Sequence, residues 1–481
     1  MALVTLFSVL VHGYHPFVED AEIYVPGIKK LLNPELYPYN QGFFSSHASM
    51  TLYPNLIAWS ARLTHLPLEW SLLAWHFICI VLLIGGCWKL GYVCFHSRRA
   101  AWGGSLLVAG LLTIPVAGTA LYIMDQYLNP RSFSTATAIW IVSSALERKY
   151  VQTAVWIVLT AFVHPLMSVF CLGFVLLLVA GERAQSSQTF AAFLLPVTLF
   201  PPVTSAYRQA IDAHSYFFIL RWEWFEWLGL FGPLALFWWF ARLAKRHKRV
   251  VLQRLCLTTI VFCGLCLLAA LLITIPPPLV RFAELQPMRG LHLAYILLFV
   301  VVGGLLADYA LQAKLWRWFA LFAPLCGGMY FAQRQLFPAT HHLELPGRAA
   351  ANPWLDAFHW IRDNTPVDAY FALNPQHMRL QGEEQHGFRA IAERSMLADA
   401  VKDSGAVTMF PALAQTWLTQ VGAQKGWESF ALHDFKRLHD QFGVTWFVLQ
   451  RPGVAGLDCP HRNSALVVCR LRDAPQPRSE Q

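Results

Sequence analysis

Ionised side chains are scarce in this sequence. Of its 481 residues, 14% are Asp, Glu, Lys or Arg, while 56% are hydrophobic. Soluble domains carry about 25% charged residues, and a chain of this length could not cover a water-exposed surface with so few charges. The abundance of apolar sequence also excludes a disordered chain. The composition therefore predicts an integral membrane protein.

Several catalytic signatures are also missing. The sequence holds no GxxxxGK[ST] phosphate loop, no HExxH zinc motif and no GxSxG nucleophile turn, which argues against an ATP-driven pump, a zinc protease and a serine hydrolase. The net charge of +9 does not indicate nucleic-acid binding, because the basic residues lie in short clusters between apolar runs. Such clusters are typical of the cytoplasmic loops of a polytopic membrane protein.

Apolar runs that could cross a bilayer recur up to about residue 333. The candidates are 1–13, 70–95, 101–124, 132–147, 150–164, 165–181, 189–206, 216–243, 251–275, 291–311 and 315–333. The region 150–181 counts as two crossings, because His164-Pro165 interrupts it and because two crossings leave the basic clusters on one side. The sequence thus predicts about eleven helices, with the N-terminus cytoplasmic and the C-terminus extracytoplasmic, in a bacterial-type inner (plasma) membrane.

The composition changes near residue 345. Residues 1–340 are predicted to form the transmembrane domain, with a long outer loop at 14–69 that contains interfacial helices. Residues 345–481 have the charge content of a soluble protein and are predicted to form an extracytoplasmic α/β domain, with WLDAFHWIRDNTP as a helix and TWFVLQR and ALVVCRLR as strands. Cys459 and Cys469 could flank a hairpin and pair there if the domain is extracytoplasmic.

The first outer loop carries an acidic turn, HPFVEDAEIYVPGIKKLL, in which Glu19 and Asp20 precede a predicted helix. A carboxylate at the membrane surface could act as a general base toward a hydroxyl or amine. It could instead bind a divalent cation such as Mg²⁺ or Mn²⁺, or simply cap the helix. The residues alone leave these three roles open.

This layout resembles the GT-C superfamily, the integral membrane glycosyltransferases that use polyprenyl-phosphate-linked sugars. In that superfamily the first span is followed by an acidic motif and a juxtamembrane helix, and Asp20, with Glu19 beside it, occupies the matching place. NPWLDAFHWIRDNTP is similar to the start of the outer domain in oligosaccharyltransferase-like members, although no WWDYG-type acceptor motif follows it. The resemblance implies a GT-C-like transmembrane core and a lipid-linked sugar donor.

Two further loops contain candidate site residues. YIMDQYLNPRSFSTA holds Asp125, which the resemblance implies as a further acidic residue, and Arg131, which could bind a phosphate. The same loop can be read as a turn in which Asn129-Pro130 ends one helix and Ser132 caps the next. VRFAELQPMRGLHLAYIL holds Arg281, Arg289 and His292 at the outer end of a predicted span. These cations could hold the donor phosphate, or could snorkel to the membrane interface.

The function predicted from these features is an inverting transfer of a sugar from a polyprenyl-phosphate donor to an acceptor on the outer face. Catalysis would fall to Asp20, Glu19 and Asp125, and donor binding to Arg289, Arg131, His292 and Arg281. No metal-ligand set is predicted, although a divalent metal stays open as a cofactor. The alternatives are a non-catalytic GT-C-derived subunit of a larger membrane complex, with protein partners, or a transporter of lipid-linked sugars.

Overall fold

The computed structural model describes residues 1–183 and 203–471. The predicted span 189–206 falls almost wholly outside the described residues. The α-helices are α1 Ala2–His12, α2 Ala21–Leu32, α3 Gly42–Met50, α4 Tyr53–Thr64, α5 Leu68–Phe95, α6 Arg98–Gly110, α7 Pro130–Leu146, α8 Tyr150–Val163, α9 Pro165–Arg183, α10 Ser205–Asp212, α11 Trp224–Arg246, α12 Val250–Thr274, α13 Gly290–Leu305, α14 Leu315–Leu336, α15 Pro353–Asn364, α16 Phe388–Ala392, α17 Asp403–Met409, α18 Ala414–Ala423 and α19 Leu432–Phe442. The strands are β1 Pro115–Val116, β2 Leu121–Tyr122, β3 Tyr370–Leu373, β4 Ser395–Met396, β5 Trp446–Gln450, β6 Asp458–Arg462 and β7 Leu466–Arg470.

The chain divides into two compact units. The first unit, which we call the helical unit, contains Met1–Tyr14, Leu72–Thr204 and His214–Gln333. The second, which we call the sheet unit, contains His15–Ser71, Ser205–Ala213 and the chain from Arg334 onward. The sheet unit therefore combines the predicted first outer loop with the predicted C-terminal domain.

Helices long and apolar enough to cross a membrane belong mainly to the helical unit. Among the described residues there are four such segments, Leu68–Phe95, Trp224–Arg246, Val250–Thr274 and Pro277–Leu311. Shorter apolar helices are Ala2–His12, Tyr150–Val163 and Pro165–Gly181. The exposed residues of α12 include five large apolar ones that recur every three or four positions, Leu257, Val261, Leu265, Leu268 and Leu272. An exposed apolar stripe of this kind suits contact with lipid. The helices and the C-terminal sheet agree with a membrane protein, while the predicted count of about eleven helices stays a prediction.

The predicted span 101–124 is wrong as a continuous helix. Helix α6 ends at Gly110, and β1 and β2 then form a short antiparallel hairpin. Pro115 lacks an N–H and disfavours a helical residue before it. Gly118 has a φ of 64° and lies so close to the Trp222 ring that a side chain there would clash. The apolar composition of this segment therefore reflects burial in the helical unit.

Glycines allow α6 and α13 to cross in close contact. A Cβ atom on Gly103 would overlap the backbone of Gly303, and one on Gly303 would overlap the backbone of Gly103. Gly104 lies against the backbone of Val300 in the same way. Small residues at such a crossing bring helix backbones together, which is the usual means of helix association in membranes.

The region 150–181 forms two helices, as predicted. Helix α8 ends at Val163 and α9 begins at Pro165, so the break lies at His164. The ring nitrogen Nδ1 of His164 accepts a hydrogen bond from the backbone N–H of Met167 at 3.4 Å. His164 is thus a structural residue at the start of α9.

A five-stranded mixed sheet, in the order β4-β3-β5-β7-β6, organises the sheet unit. Strand β3 runs parallel to β4 and β5, whereas β7 runs antiparallel to β5 and β6. Alternate residues of β5 face opposite sides, as in any strand. Trp446 and Val448 pack with Phe358 of α15, while Phe447 and Leu449 belong to a second core that contains Phe435 of α19. The helix predicted in WLDAFHWIRDNTP is confirmed as α15, and the strands predicted in TWFVLQR and ALVVCRLR are confirmed as β5 and β7.

The predicted cysteine pair is also confirmed. Cys459 on β6 and Cys469 on β7 form a disulfide across this antiparallel pair. The other cysteines, all of which lie outside these strands, are buried and reduced.

Candidate functional site

The acidic turn is part of the sheet unit and is fixed by backbone hydrogen bonds. Glu19 N donates to Gln385 O at 2.8 Å, and Gly387 N donates to Phe17 O at 2.8 Å. Between them, Val18 and His386 form an isolated antiparallel bridge. The turn therefore forms strand-like backbone hydrogen bonds with a segment that lies more than 360 residues further along the chain.

The side chains of the acidic turn contact a lysine. Lys402 Nζ forms an ion pair with Asp20 Oδ1 at 2.9 Å and a second one with Glu19 Oε2. Asp20 directly precedes α2, but its side chain makes no capping hydrogen bond. The capping role that the sequence left open for Asp20 is therefore not the one adopted, because its carboxylate is directed to Lys402.

The backbone at Lys402 is held in place by the side chain of Asp399. The N–H groups of Val401 and Lys402 both donate to Asp399 Oδ1 at 2.6 Å. The Lys402 side chain is only 13% exposed. Burial alone would lower its pKa, but the neighbouring Asp20 and Glu19 carboxylates raise the pKa well above its ordinary value. Lys402 is thus a permanent ammonium cation.

Glu22, three residues after Glu19, enters a second, fully buried ion cluster. Its carboxylate accepts hydrogen bonds from the backbone N–H groups of Arg389 and Ala390, both at 3.1 Å, and from Arg389 Nη1 at 3.3 Å. The Arg389 guanidinium also binds Asp403 in a bidentate pair at 2.9 and 2.6 Å. Burial raises the pKa of Glu22 to about 8, and Arg389 opposes this rise. The stretch 381–403 is largely buried, although it is rich in charged residues.

A third polar cluster lies on the other side of the acidic turn. Glu344 accepts hydrogen bonds from His15 Nδ1 at 2.8 Å and from His386 Nε2 at 3.0 Å. Burial alone would lower the pKa of His386, but the charges of Glu344 and Glu383 raise it to about 9. Burial would raise the pKa of Glu344, but its two histidine partners lower it to about 2. His386 is thus a buried imidazolium cation at neutral pH.

The second candidate loop belongs to the helical unit. Asp125 Oδ2 accepts hydrogen bonds from Arg131 Nη2 at 2.9 Å and from Asn129 Nδ2 at 2.6 Å, and all three side chains are buried. The expectation that Ser132 caps the next helix is corrected, because Asn129 is the N-cap of α7 and Ser132 is its partner three residues on. The structure therefore brings Asp125 and Arg131 together at the start of α7.

The basic residues near α13 are also in the helical unit. His292 is buried, and its Nε2 is 3.0 Å from the carbonyl oxygen of Ile123, two residues before Asp125. Arg281 and Arg289 are partly buried on two 3₁₀ segments, Pro277–Leu285 and Pro287–Arg289, that lead into α13. Their assignment to a donor phosphate stays a prediction.

The observed geometry does not suit a divalent metal ion at the acidic turn. Its two carboxylates already surround an ammonium group, and among the described residues no cluster of three or more His, Cys, Asp and Glu side chains could hold a metal. Lys402 and Arg389 were missed as partners of the acidic residues. The only feature of the sequence that pointed to Lys402 and Arg389 was the high charge density of 381–403. A single sequence does not show which residues far apart in the chain are close in space.

Comparisons with known proteins give a limited result. No protein-family model matches the chain, and no curated protein is significantly similar to it. Among solved structures, it is similar to the crystal structure of the Archaeoglobus fulgidus oligosaccharyltransferase in the apo form, with 11% identity, a TM-score of 0.47 and coverage of 93% of this chain and 69% of that chain. The structure of that protein in complex with Zn and sulfate gives 12% identity, a TM-score of 0.43 and coverage of 93% and 67%. Similarity at this level assigns no activity, donor or acceptor to this chain.

Proposed function

We propose that this chain is an integral membrane glycosyltransferase of GT-C type, which moves a sugar from a polyprenyl-phosphate donor to an acceptor on the outer face of the membrane. The observation that carries the proposal is the acidic turn. It supplies two carboxylates beside a lysine ammonium, directly after the first apolar helix in the sequence. The resemblance of this motif and its following helix to GT-C enzymes supports the same reading.

In the proposed reaction, Asp20 accepts the proton of the acceptor hydroxyl or amine as the new bond to the sugar C1 atom forms. The bond between C1 and the phosphate oxygen breaks, and its electron pair leaves with the lipid phosphate. A single displacement of this kind inverts the configuration at C1. Glu19 supports Asp20, and Asp125 orients the acceptor. No step passes through a metal ion.

The leaving group would be stabilised by cations. Arg289, Arg131, His292 and Arg281 are proposed to bind the donor phosphate, whose charge grows as the glycosidic bond breaks. Fixed donors directed at a developing charge are a large source of catalysis. Because phosphate is a good leaving group, one base and a set of cations would suffice.

We also propose the placement in the membrane. The basic clusters between the apolar helices favour a cytoplasmic N-terminus and an extracytoplasmic region 345–481 in a bacterial-type inner membrane. The division into a transmembrane domain at 1–340 and this outer domain belongs to the same proposal. A disulfide between Cys459 and Cys469 suits an oxidising compartment outside the cytoplasm.

A second candidate is a non-catalytic subunit of a larger membrane complex. The observation that favours it is that all three candidate acids already have cationic partners. Lys402 pairs with Glu19 and Asp20, and Arg131 pairs with Asp125. Under this alternative the acidic turn serves only to join α2 to the segment 385–403.

The deciding experiment is a sugar-transfer assay with the full chain in lipid nanodiscs and a radiolabelled polyprenyl-phosphate-linked hexose. We expect label to pass from lipid to a water-soluble or peptide acceptor, and Asp20→Asn to reduce the rate by about 10²–10⁴-fold. Glu35→Gln is the matched control, because Glu35 is an exposed acid of the same loop.

Three outcomes would contradict the proposal in different ways. Full activity of Asp20→Asn would remove the general-base role. Movement of the labelled lipid between leaflets without its consumption would identify a transporter. Absence of donor binding, together with stoichiometric co-purification of fixed partners, would identify the subunit.

A further inference from the structure

Lys402 lies where a metal ion would have to lie to serve the acidic turn. A divalent cation is bound by carboxylate oxygens that converge on one point. Here the oxygens that converge, Asp20 Oδ1 and Glu19 Oε2, converge on Lys402 Nζ. An ammonium group has three donors and no capacity to act as a ligand, so it occupies this point and repels any second cation.

The contact is built into the sheet unit and is not a chance meeting of surface side chains. The backbone at Lys402 is anchored by Asp399, and Asp399 N in turn donates to Asp403 Oδ2 at 2.9 Å. Asp403 accepts a hydrogen bond from Arg389, and Arg389 also donates to Glu22 at the start of α2. The lysine and the acidic turn are therefore fixed to one continuous set of buried hydrogen bonds. A flexible surface pair would contribute little.

A second buried lysine in the same unit shows what distinguishes this site. Lys29 is also mostly buried, but its Nζ pairs with a single carboxylate, Glu393, at 2.6 Å. Lys402, in contrast, lies between two carboxylates on adjacent residues, Glu19 and Asp20. Removing Lys29 would leave one carboxylate, whereas removing Lys402 would leave two that point to one place.

We infer that the Lys402 ammonium is the resident cation of the acidic turn, so that Glu19 and Asp20 keep their geometry and negative charge without a divalent metal ion. The acidic turn is then complete within the chain itself. This inference concerns the same residues as the proposed transfer reaction, for which it implies metal independence. Its test, however, needs no activity.

The test is Mn²⁺ binding to the full chain in nanodiscs, measured by the loss of the free Mn²⁺ signal in electron paramagnetic resonance, with thermal unfolding in Mn²⁺ and in EDTA. For the wild type we expect no stoichiometric Mn²⁺ and no change of Tm with EDTA. Lys402→Met removes the ammonium group but keeps an unbranched side chain that is one atom shorter. It should bind Mn²⁺ at least about tenfold more tightly than the wild type, because an ammonium at this distance repels the ion strongly.

Controls separate the lysine's charge from a merely structural role. Lys402→Arg keeps the charge and should behave as the wild type. Lys29→Met, which disrupts an ion pair with one carboxylate only, should gain no Mn²⁺ binding. Combining Lys402→Met with Asp20→Asn should abolish the gained binding, because one of the two converging carboxylates is lost.

The inference is overturned if the wild type binds one Mn²⁺ per chain and Asp20→Asn abolishes that binding, since the turn would then hold a metal in spite of Lys402. It is equally overturned if folded Lys402→Met gains no Mn²⁺ binding. If Lys402→Met fails to fold, Mn²⁺ titration of the wild type still tests whether the acidic turn binds a metal ion. Because none of these measurements uses sugar transfer, failure of the proposed function would leave them unchanged, and an active, Mn²⁺-dependent wild type would overturn this inference alone.

Discussion

Arg389 is the cation shared by three buried carboxylates of the sheet unit, those of Glu22, Asp399 and Asp403. It is 1% exposed and lies between Glu22 and Asp403, with Asp399 3.9 Å away. Two acids so deeply buried would be strongly destabilising without this guanidinium. Burial raises the pKa of Asp403 to about 6 even though Arg389 opposes the rise.

Arg389→Met is expected to lower the free energy of unfolding by about 3–5 kcal/mol, because it leaves buried carboxylates without their cation. Denaturant unfolding of the purified chain, followed by tryptophan fluorescence, measures the change. The control is Arg348→Met, which removes an exposed arginine of the same unit and should change stability by less than about 0.5 kcal/mol. Equal stability of the two variants would refute the structural role of Arg389.

His386 should make stability depend on pH. Its pKa is raised from an ordinary value of 6.5 to about 9 by the charge and hydrogen bond of Glu344, so the folded state binds its proton more tightly than the unfolded state. The stability that this provides is complete below pH 6.5 and is lost as the pH rises through 9.

We therefore expect the free energy of unfolding to fall by about 1–3 kcal/mol between pH 6.5 and 9. His386→Gln should show a smaller fall than the wild type. Glu22, whose pKa is raised to about 8, also makes the free energy of unfolding fall as the pH rises. Only the difference between the pH profiles of variant and wild type therefore reports on His386. Parallel pH profiles would show that His386 is not protonated in the folded state.

For individual residues, the sequence supplied candidates for the site but not all of their contacts. Glu19, Asp20, Asp125 and Arg131 could be named because acids and arginines are rare beside apolar runs. Their partners could not be named equally well. Arg131 lies six residues from Asp125, within reach of a local argument, whereas Lys402 lies 382 residues from Asp20. Nothing in one sequence encodes that second distance.

Among the secondary-structure elements, prediction succeeded where local pattern decides. Helix α2 directly follows Asp20, where a helix was predicted, and α15 coincides with most of the helix predicted in WLDAFHWIRDNTP. The prediction of a continuous helix over 101–124 failed at 111–124. An apolar run buried in protein has the same sequence pattern as one buried in lipid. Pro115 and Gly118 were the available signals against a helix there.

The β6–β7 hairpin carries an element-scale prediction. The disulfide joins residues ten apart, and cross-links that close short loops contribute about 2–3 kcal/mol. Replacing Cys459 and Cys469 together by Ser should lower the free energy of unfolding by about that amount. Cys79→Ala, at a buried free cysteine, is the control for loss of a thiol. Alkylation of both cysteines in the native, unreduced chain would show that they are not paired.

The proposed topology can be tested at the scale of the whole molecule. Single cysteines introduced by Glu35→Cys and Asp440→Cys should react with a membrane-impermeant maleimide added to intact cells. Lys248→Cys, between α11 and α12, should react only after permeabilisation. These positions are described as exposed or partly exposed, while the reduced native cysteines of the described chain are buried. The reverse labelling pattern would invert the proposed orientation.

The sequence and the structure group the chain differently. Composition places residues 14–69 with the apolar helices as an outer loop, whereas 15–71 cluster with the chain from Arg334 onward. Hydropathy separates segments by solvent, and it carries no information about which polar segments pack together. The acidic turn in this loop therefore pairs with Lys402, a residue of the region 345–481 that the sequence assigned to another domain.

The ion pair of Asp20 with Lys402 has a consequence for biosynthesis. The two residues are 382 positions apart, and ribosomes add about 5–20 residues per second. The acidic turn is therefore synthesised on the order of 20–80 s before its lysine. Until then, the carboxylates of Glu19 and Asp20 lack the lysine with which they pair in the folded chain. A chain that terminates between Asp20 and Lys402 would keep both carboxylates without this partner.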